Sequence, residues 1–274
     1  GPGLVALTTA AARGGGERGR ALLLAALHDP RPEVAEAAAT GLHRIRATAS
    51  AQAVDTRARN AVGAAVDRVL DRAQLVVNGL AALEGVEEVA PLRDALRDEL
   101  SEVSHRLLVL VGIVVPGISP ARVMAGLGAE DDTTRGLAEE LIDVALGRRA
   151  PHVLAVVAPH LHPLKRHETK DDRTNGDETG GDAAELVRSI AIDLDDRWRD
   201  PWLRACALRV LPAVAPDAIP SVISQLRAQS RAQPQQRAPG LQLVLQETVD
   251  WLAQLEASRA RRTSASASAD AELP

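Results

Sequence analysis

Apolar residues recur at helical spacing along most of the chain, whereas alternation with a period of two over the length of a strand is rare. Four helix starts are marked by Asp, Pro or Gly ahead of an aliphatic stretch, at residues 29–32, 131–132, 200–201 and 239–240. An Asp side chain at a helix start can accept backbone N–H bonds, and a proline in the first turn lacks only an N–H that has no helical partner. The pattern predicts an all-α fold of short helix pairs.

Two longer helices are predicted in the middle of the chain. Apolar positions keep intervals of three and four residues over 62–83 and again over 92–114, and the segment between them contains Gly85, which suits a turn. We predict helices over about 55–84 and about 91–115, packed as a long central antiparallel helix hairpin; a free coiled coil is the alternative. The end of the second helix is apolar on all sides, which favours burial between layers over a two-helix seam.

Two polar segments and the opening residues are set apart from the helices. Residues 165–182 contain both lysines of the chain and no aliphatic side chain, so burial cannot offset the entropy of ordering them and we expect a mobile insert. Residues 259–274 are a low-complexity tail. Gly1-Pro2 resembles the remnant of a cleaved tag, so we expect the chain to be part of a longer protein. The span 3–258 is predicted to form a single domain.

The amino-acid composition argues against several classes of protein. Of the 274 residues 46% are hydrophobic but only 1% are aromatic, so the core must be built from Leu, Val, Ile and Ala, which pack well as close-set helices. Folds that stack nucleic-acid bases on aromatic rings lack their stacking groups here. The net charge of −5 argues against a general polyphosphate binder. No apolar run reaches the roughly 18 to 20 residues that span a bilayer.

The chain has one cysteine, Cys206, which excludes an internal disulfide and a thiolate metal cage. Cys206 occupies a small core position in a predicted helix, so we interpret it as a buried thiol. Without disulfides, the reduced cytoplasm is the expected compartment.

The helix starts are similar to one another. The stretch DPRPEVAEAAATGL at 29–42 places small residues at the helix centre and aliphatic residues on its flanks, as does the stretch after Asp200. One helix pair cannot bury its apolar face alone, so successive pairs must share a core. The stretch at 29–42 resembles a HEAT-type repeat helix. The resemblance implies a HEAT-like right-handed α-solenoid of stacked helix pairs.

Residues 92–161 more specifically resemble the HEAT-repeat region fused behind translocase-like membrane domains, of major-facilitator or ATP/ADP-carrier type, in bacteria. The similar features are LLVLVGIV at 107–114, a G-L-x-x-x-D turn at 126–131 and R-x-x-A-x-E-L-x-D-x-x-L at 135–146. Asp132 stands where the turn of that group has proline. The resemblance implies a cytoplasmic helical domain at the inner face of the membrane, as part of a longer protein.

A histidine pair is the first candidate for metal chemistry. His160-x-His162 could ligate a metal together with Glu168 or Asp171. Prolines surround the pair and the segment runs into the polar insert, so we expect no metal site.

Two groups of carboxylates are candidates for acid–base chemistry. Asp193, Asp195 and Asp196 could form an acidic metal patch or an acid–base pair, but they precede an Arg-Trp-Arg sequence, so we interpret them as a helix end followed by a turn. Glu140 and Asp143 lie three residues apart on one helix face, where paired-carboxylate chemistry is geometrically feasible. The repeat context favours salt links to Arg135 or Arg148 instead, so no catalytic residue is predicted.

The three tryptophans are candidates for anchoring a partner. Trp202 and Trp251 fall at core spacing and are expected to pack inside. Trp198 is therefore the candidate protein-binding residue on the surface.

These observations predict a non-catalytic protein-interaction scaffold that needs no cofactor and does not itself insert into a membrane. Its partner would be another protein or an attached transporter-like membrane domain, which it would regulate or anchor; the sequence leaves the oligomeric state open. One alternative is an enzyme or lyase-type modifier on a HEAT-like frame, as in bilin lyases, which requires a pocketed carboxylate or histidine. The other is a duplex nucleic-acid binder similar to HEAT-like DNA glycosylases, supported only by eight Arg against five acidic residues over 1–60.

Overall fold

The computed structural model describes residues 2–14, 16–29, 31–48, 56–115, 119–161, 178–195, 197–198, 200–232, 243, 246–258 and 261. The α-helices in these ranges are α1 Pro2–Gly14, α2 Glu17–Ala26, α3 Pro32–Thr48, α4 Thr56–Ala82, α5 Ala90–Val114, α6 Pro120–Leu127, α7 Asp132–Leu146, α8 Ala150–Leu161, α9 Glu178–Ile192, α10 Pro201–Val214 and α11 Ile219–Ala232. Short 3-10 turns lie at Glu87–Val89, Gly147–Arg149 and Pro216–Ala218. Residues 246–258 are also helical.

The prediction of an all-α fold is confirmed, since no described residue belongs to a strand. The helix starts form as expected: Asp131 accepts the N–H of Thr134 at 2.9 Å, and Asp200 accepts that of Trp202 at 2.8 Å. The start predicted at 239–240 lies outside the described residues. Within the described ranges no single helix is long and apolar enough to cross a membrane. Taken together, α10 and the segment Pro216–Gln229, which includes most of α11, would be long and apolar enough, but the chain bends by 118° between them.

The prediction of two long central helices is confirmed by the bounds of α4 and α5. Gly85, with φ of +82°, lies in the turn between them, in a conformation that favours glycine. Arg72 of α4 donates from Nε to Oε1 of Glu99 of α5 at 2.8 Å. Nearer the turn, a methyl group placed on Gly79 would lie 3.5 Å from Cδ1 of Leu96. Contacts therefore join α4 to α5 at both places.

The chain divides into two compact units. The first comprises Gly1–Val77 and Glu99–Thr169, and the second comprises Asn78–Asp98 and Lys170–Pro274. Both α4 and α5 cross a unit boundary, so each contributes residues to both units. The single domain over 3–258 stays a prediction.

In the first unit, α1, α2 and α3 pack against one another. Leu23 of α2, Leu27 directly after that helix, and Val34 and Leu42 of α3 are almost fully buried. The C-terminal end of α2 is held by Arg68 of α4, whose Nη2 donates to the carbonyl oxygen of Leu27 at 2.6 Å. This bond satisfies a carbonyl group that has no partner within its own helix.

In the second unit, α9, α10 and α11 pack around aliphatic side chains and one buried guanidinium group. Arg204 of α10 donates to the carbonyl oxygens of Ala191 at 3.3 Å and Ile192 at 3.0 Å, and to Oε1 of Gln229 at 3.3 Å. The last carbonyl groups of a helix carry partial negative charge, so a guanidinium group is stabilised there.

The polar segment is shorter than the sequence predicts. Residues 165–177 lie outside the described residues, but α9 begins at Glu178 and includes the last five residues that were expected to be mobile. Once Val187 and Ile190 are buried in the core, extending the helix toward its N-terminus costs little, because nucleation is the expensive step. Of the predicted tail, only Arg261 is described, and Pro2 is the first residue of α1.

Candidate protein-binding surface

Helix α7 is fixed by a capped start, close contact with α6 and an abrupt end. Oδ2 of Asp131 accepts bonds from Oγ1 of Thr134 at 2.7 Å and from its N–H at 2.9 Å, and these bonds lower the pKa of Asp131. A methyl group on Gly126 of α6 would lie 2.9 Å from Cβ of Ala138, so the small residues let α6 and α7 approach closely. Gly147, with φ of +52°, ends the helix.

A second face of α7, beside its packed side, carries three exposed apolar side chains. Leu137 is 58% exposed, Leu141 39% and Val144 73%. Their spacing of four and three residues places them along one line of the helix, while Ala138 and Ile142, about 100° and about 140° from Leu137, are buried on the neighbouring face. We call Leu137, Leu141 and Val144 the α7 stripe. A helix that already packs through one apolar face and exposes a second is typical of an interaction surface.

Two carboxylates border the α7 stripe. Glu140 and Asp143 are exposed, and at about 100° per residue they lie about 60° and about 120° from Leu137 in the same rotational sense. The salt link predicted to Arg135 is not observed, because Arg135 pairs with Asp132. Within the described part of the chain, no ion pair involves Glu140 or Asp143.

The connection from α7 to α8 is tied to α4 by a two-bond ion pair. Arg149 donates from Nε to Oδ1 of Asp67 at 2.5 Å and from Nη2 to Oδ2 at 2.8 Å. These bonds lower the pKa of Asp67 and raise that of Arg149. A methyl group on Gly63 would lie 3.2 Å from Nη1 of Arg149, so glycine leaves room for the guanidinium group over α4.

An open groove of about 340 Å³ lies between α1 and α3. Its polar lining consists of Thr9, Glu33, Glu36, Thr40 and Arg44. Glu36 pairs with Arg106 at 3.4 Å, the hydroxyl of Thr9 donates to the carbonyl oxygen of Val5, and Arg44 also interacts within the chain. Because three of the five polar residues of the groove are already engaged within the chain, the α7 stripe is the stronger candidate for binding.

The exposure of the three tryptophans is the reverse of what the sequence predicted. Trp198 is only 4% exposed and its ring lies against Gly79, which contradicts its prediction as a surface anchor. Trp202 and Trp251, expected in the core, are 60% and 41% exposed. Helical spacing could not reveal this, because Trp198 lies in a turn whose backbone is directed by Asp193.

Asp193 and Asp195 lie in the connection between the end of α9 and the start of α10, so their interpretation as a helix end and turn is confirmed. Asp193 is buried with φ of +46°, and its Oδ1 accepts the N–H groups of Arg197 at 2.8 Å and Trp198 at 3.0 Å. Its carboxylate therefore organises the backbone. Asp196 lies outside the described residues.

The candidate metal ligands fall almost entirely outside the described part of the chain. His152 is exposed near the start of α8, whereas the side chain of His160 and all of His162, Glu168 and Asp171 are not described. Among the described residues, no group of three or more His, Cys, Asp or Glu is placed to hold a metal ion. The expectation of no metal site stays a prediction.

Cys206 is buried and free, as predicted. Burial raises the pKa of its thiol, so the reactive thiolate form is disfavoured.

Several arginines hold the fold together instead of presenting free positive charge. Arg31 pairs with Asp29 at 2.7 Å, and its side-chain and backbone bonds lower the pKa of Asp29 to about 2. Arg68 and Arg204 donate to the ends of α2 and α9. These contacts give no support to a duplex-binding surface.

Sequence reasoning did not single out the α7 stripe, although a signal was present. Leu141 was used only as part of the repeat pattern at 135–146. Leu137, Leu141 and Val144 form a second apolar line beside the one through Ala138 and Ile142, and two such lines on one helix indicate two partners.

Known proteins provide no independent support for the resemblances. The chain matches no protein-family model, no curated protein and no solved structure. The HEAT-type resemblance and the membrane-protein context that it implies therefore stay predictions.

Proposed function

We propose that this chain is a non-catalytic protein-interaction scaffold that presents the α7 stripe to a partner protein. The observation that carries the proposal is the exposure of Leu137, Leu141 and Val144 on a helix that already packs through a different face. Leaving such side chains in water forgoes about 25 cal/mol for each Å² of apolar surface that a partner could cover. The engagement of Asp193, Asp131 and Asp67 in caps and ion pairs is further support, because these carboxylates stabilise the fold.

The proposal includes a HEAT-like solenoid arrangement of the helix pairs. It is supported by the contacts of α7 with both α6 and α8 and by the Asp-capped helix starts. It also includes a cytoplasmic location and attachment to a transporter-like membrane domain in a longer protein. That part is supported by the sequence resemblance over 92–161 alone.

A photo-crosslinking experiment tests the proposed function. A benzophenone amino acid replaces Val144 in the full chain, and a control chain carries it at Gln225, an exposed position on α11. In lysate of the source organism, we expect light-dependent protein adducts at position 144 and not at position 225. Equal labelling at both positions, or none at position 144, would overturn the proposal. Circular dichroism of both chains checks that the substitutions leave the helices intact.

A further inference from the structure

The charge around the α7 stripe indicates the chemistry of its partner. On one side the stripe is bordered by Glu140 and Asp143, and on the other by Thr134 and Ala145, which are uncharged. Arg135 pairs with Asp132 and Arg149 with Asp67, whereas Arg148, in the turn beyond the C-terminal end of α7, is exposed. Along α7 itself, the exposed charges beside the stripe are therefore carboxylates. The surface is thus an apolar line with a negative edge.

The shape of the surface favours a helix as the partner. Leu137, Leu141 and Val144 lie along one line over about two helical turns, a ridge that fits between the side chains of a second helix. Apolar side chains on the partner at intervals of three and four residues would cover that line. Positive charges on one flank of the partner would then lie against Glu140 and Asp143, where apolar contact partly excludes water.

A second copy of the chain and a membrane surface would each fit the negative charge beside the α7 stripe less well. A second copy packed on the stripe in antiparallel fashion about a two-fold axis would bring Glu140 close to its own equivalent, and like charges across an interface are unfavourable. A membrane surface with anionic lipids would be repelled by the same carboxylates.

We propose that the α7 stripe binds an amphipathic helix of a partner protein, with its apolar side on Leu137, Leu141 and Val144 and its Lys or Arg side chains against Glu140 and Asp143. This inference rests on the proposed function and specifies the partner of that surface. Apolar contact supplies most of the affinity, and the carboxylates select a basic partner and orient it.

Two synthetic helices of about 18 residues serve as probes. Both carry the same leucines at intervals of three and four residues; one has Lys at the flanking positions and the other has Glu. Fluorescence anisotropy measures the binding of each to the full chain. We expect the Lys helix to bind at least about tenfold more tightly than the Glu helix.

Variants separate the apolar and the electrostatic contributions. Val144→Glu should weaken binding of the Lys helix by about tenfold or more, whereas Leu194→Glu, at an exposed leucine of the second unit, should leave it unchanged. The double variant Glu140→Lys with Asp143→Lys keeps the apolar line and should bind the Glu helix in preference to the Lys helix. Circular dichroism verifies that each variant is folded, and the double variant keeps the test decisive should Val144→Glu unfold the chain.

Other results would overturn the inference. Equal binding of the two helices, or a preference unchanged in the double variant, would refute the electrostatic selection. Self-association of the chain that Val144→Glu abolishes in analytical ultracentrifugation would make a second copy the occupant. Failure of both helices to bind, with adducts still found at position 144, would refute a helical partner and leave the proposed function standing.

Discussion

At the scale of single residues, the buried side chain of Arg204 makes the largest set of polar contacts among the described residues. Its guanidinium group donates to two carbonyl oxygens at the end of α9 and to the amide of Gln229. Arg204→Met should lower the free energy of unfolding by about 2–4 kcal/mol, because the carbonyl groups of Ala191 and Ile192 and the amide oxygen of Gln229 lose the guanidinium donor, although Nε2 of Gln229 still donates to Ile192 at 3.0 Å. Urea denaturation followed by circular dichroism measures the loss.

Arg209 provides the matched control, since it lies on the same helix and is exposed. Arg209→Met should change the stability by less than about 0.5 kcal/mol. Equal losses in the two variants would show that the contacts of Arg204 add no net stability.

Asp193 combines a left-handed backbone with a side chain that accepts two N–H groups. Asn tolerates this conformation and retains an acceptor oxygen, Gly retains only the conformational freedom, and Ala retains neither. We therefore expect stability to fall in the order Asp193→Asn, Asp193→Gly, Asp193→Ala, with a loss of about 2 kcal/mol for Ala. Thermal denaturation of the three variants gives the order, and an Asn variant as unstable as the Ala variant would contradict it.

The burial of some single residues could be predicted from the sequence, and that of others could not. Cys206 lies within a long helical pattern, so its burial was predictable from spacing. The burial of Trp198 was not, because Trp198 lies in the connection between α9 and α10, where the backbone is directed by bonds to Asp193. Periodicity carries no information about such a turn.

At the scale of elements, the approach of α6 to α7 depends on glycine. Gly126→Ala would place a methyl group 2.9 Å from Cβ of Ala138, and we expect it to lower the free energy of unfolding by about 1–2 kcal/mol. Gly136, exposed in α7 with nothing within 4 Å of the added methyl group, is the matched control. Gly136→Ala should raise stability by about 0.5–1 kcal/mol through helix propensity. A loss at Gly136, or a gain at Gly126, in thermal denaturation would contradict the packing described for α6 and α7.

The ion pair between Asp67 and Arg149 makes the attachment of the α7–α8 connection sensitive to acid. The bonds from Arg149 lower the pKa of Asp67 below its usual value of 3.8. A carboxyl group with a lowered pKa in the folded state contributes stability above its unfolded pKa and loses it as the pH falls through the folded value. Because Asp67 is about half exposed, Asp67→Asn should cost only about 0.5 kcal/mol at neutral pH.

The difference in unfolding free energy between the wild type and Asp67→Asn should therefore shrink as the pH falls below 3.8 and vanish once Asp67 is protonated in the folded chain. Asp71→Asn, an exposed change on the same helix, should give a difference that stays within about 0.5 kcal/mol over this range. Urea titrations at a series of pH values measure both. A constant cost for Asp67→Asn down to the lowest pH would contradict the role of the charge.

Among the features of the helices, the starts marked by aspartate were the ones best predicted from the sequence. Aspartates before aliphatic stretches set the starts of α7 and α10, and each accepts backbone N–H groups. The start of α9 was placed too late, because its first turn contains no aliphatic side chain. The α7 stripe was overlooked because periodicity identifies apolar faces without saying which of two faces is covered.

At the scale of the whole molecule, the two lysines offer a test of how the second unit is assembled. Lys165 and Lys170 are the only lysines, and they lie in the polar segment that the sequence predicts to be mobile. A protease specific for lysine should therefore cut the native chain into residues 1–165 and 171–274. The two fragments should elute together in size-exclusion chromatography, because the second unit includes Asn78–Asp98 from the first fragment. Separation of the fragments without denaturant would contradict that assignment.

The division into two units could not be read from the sequence. Helical spacing runs without interruption through α4 and α5, and nothing in it marks Val77 or Asp98 as a boundary. Which unit a segment joins is decided by residues far away in the chain, such as Leu186 and Trp198, which lie near Gly79. Local patterns cannot encode such a pairing.

The segment Asn78–Asp98, which includes the turn between α4 and α5, belongs to the second unit although both of its neighbours in the chain belong to the first. This has a practical consequence. Neither piece of the severed chain holds a complete second unit, yet together they contain all of its residues except Lys170. Expressed as separate polypeptides, the pieces should complement each other, with Gly79 and Leu96 supplied by one and Leu186 and Trp198 by the other. A split luciferase divided between them would then convert reassembly of this core into light.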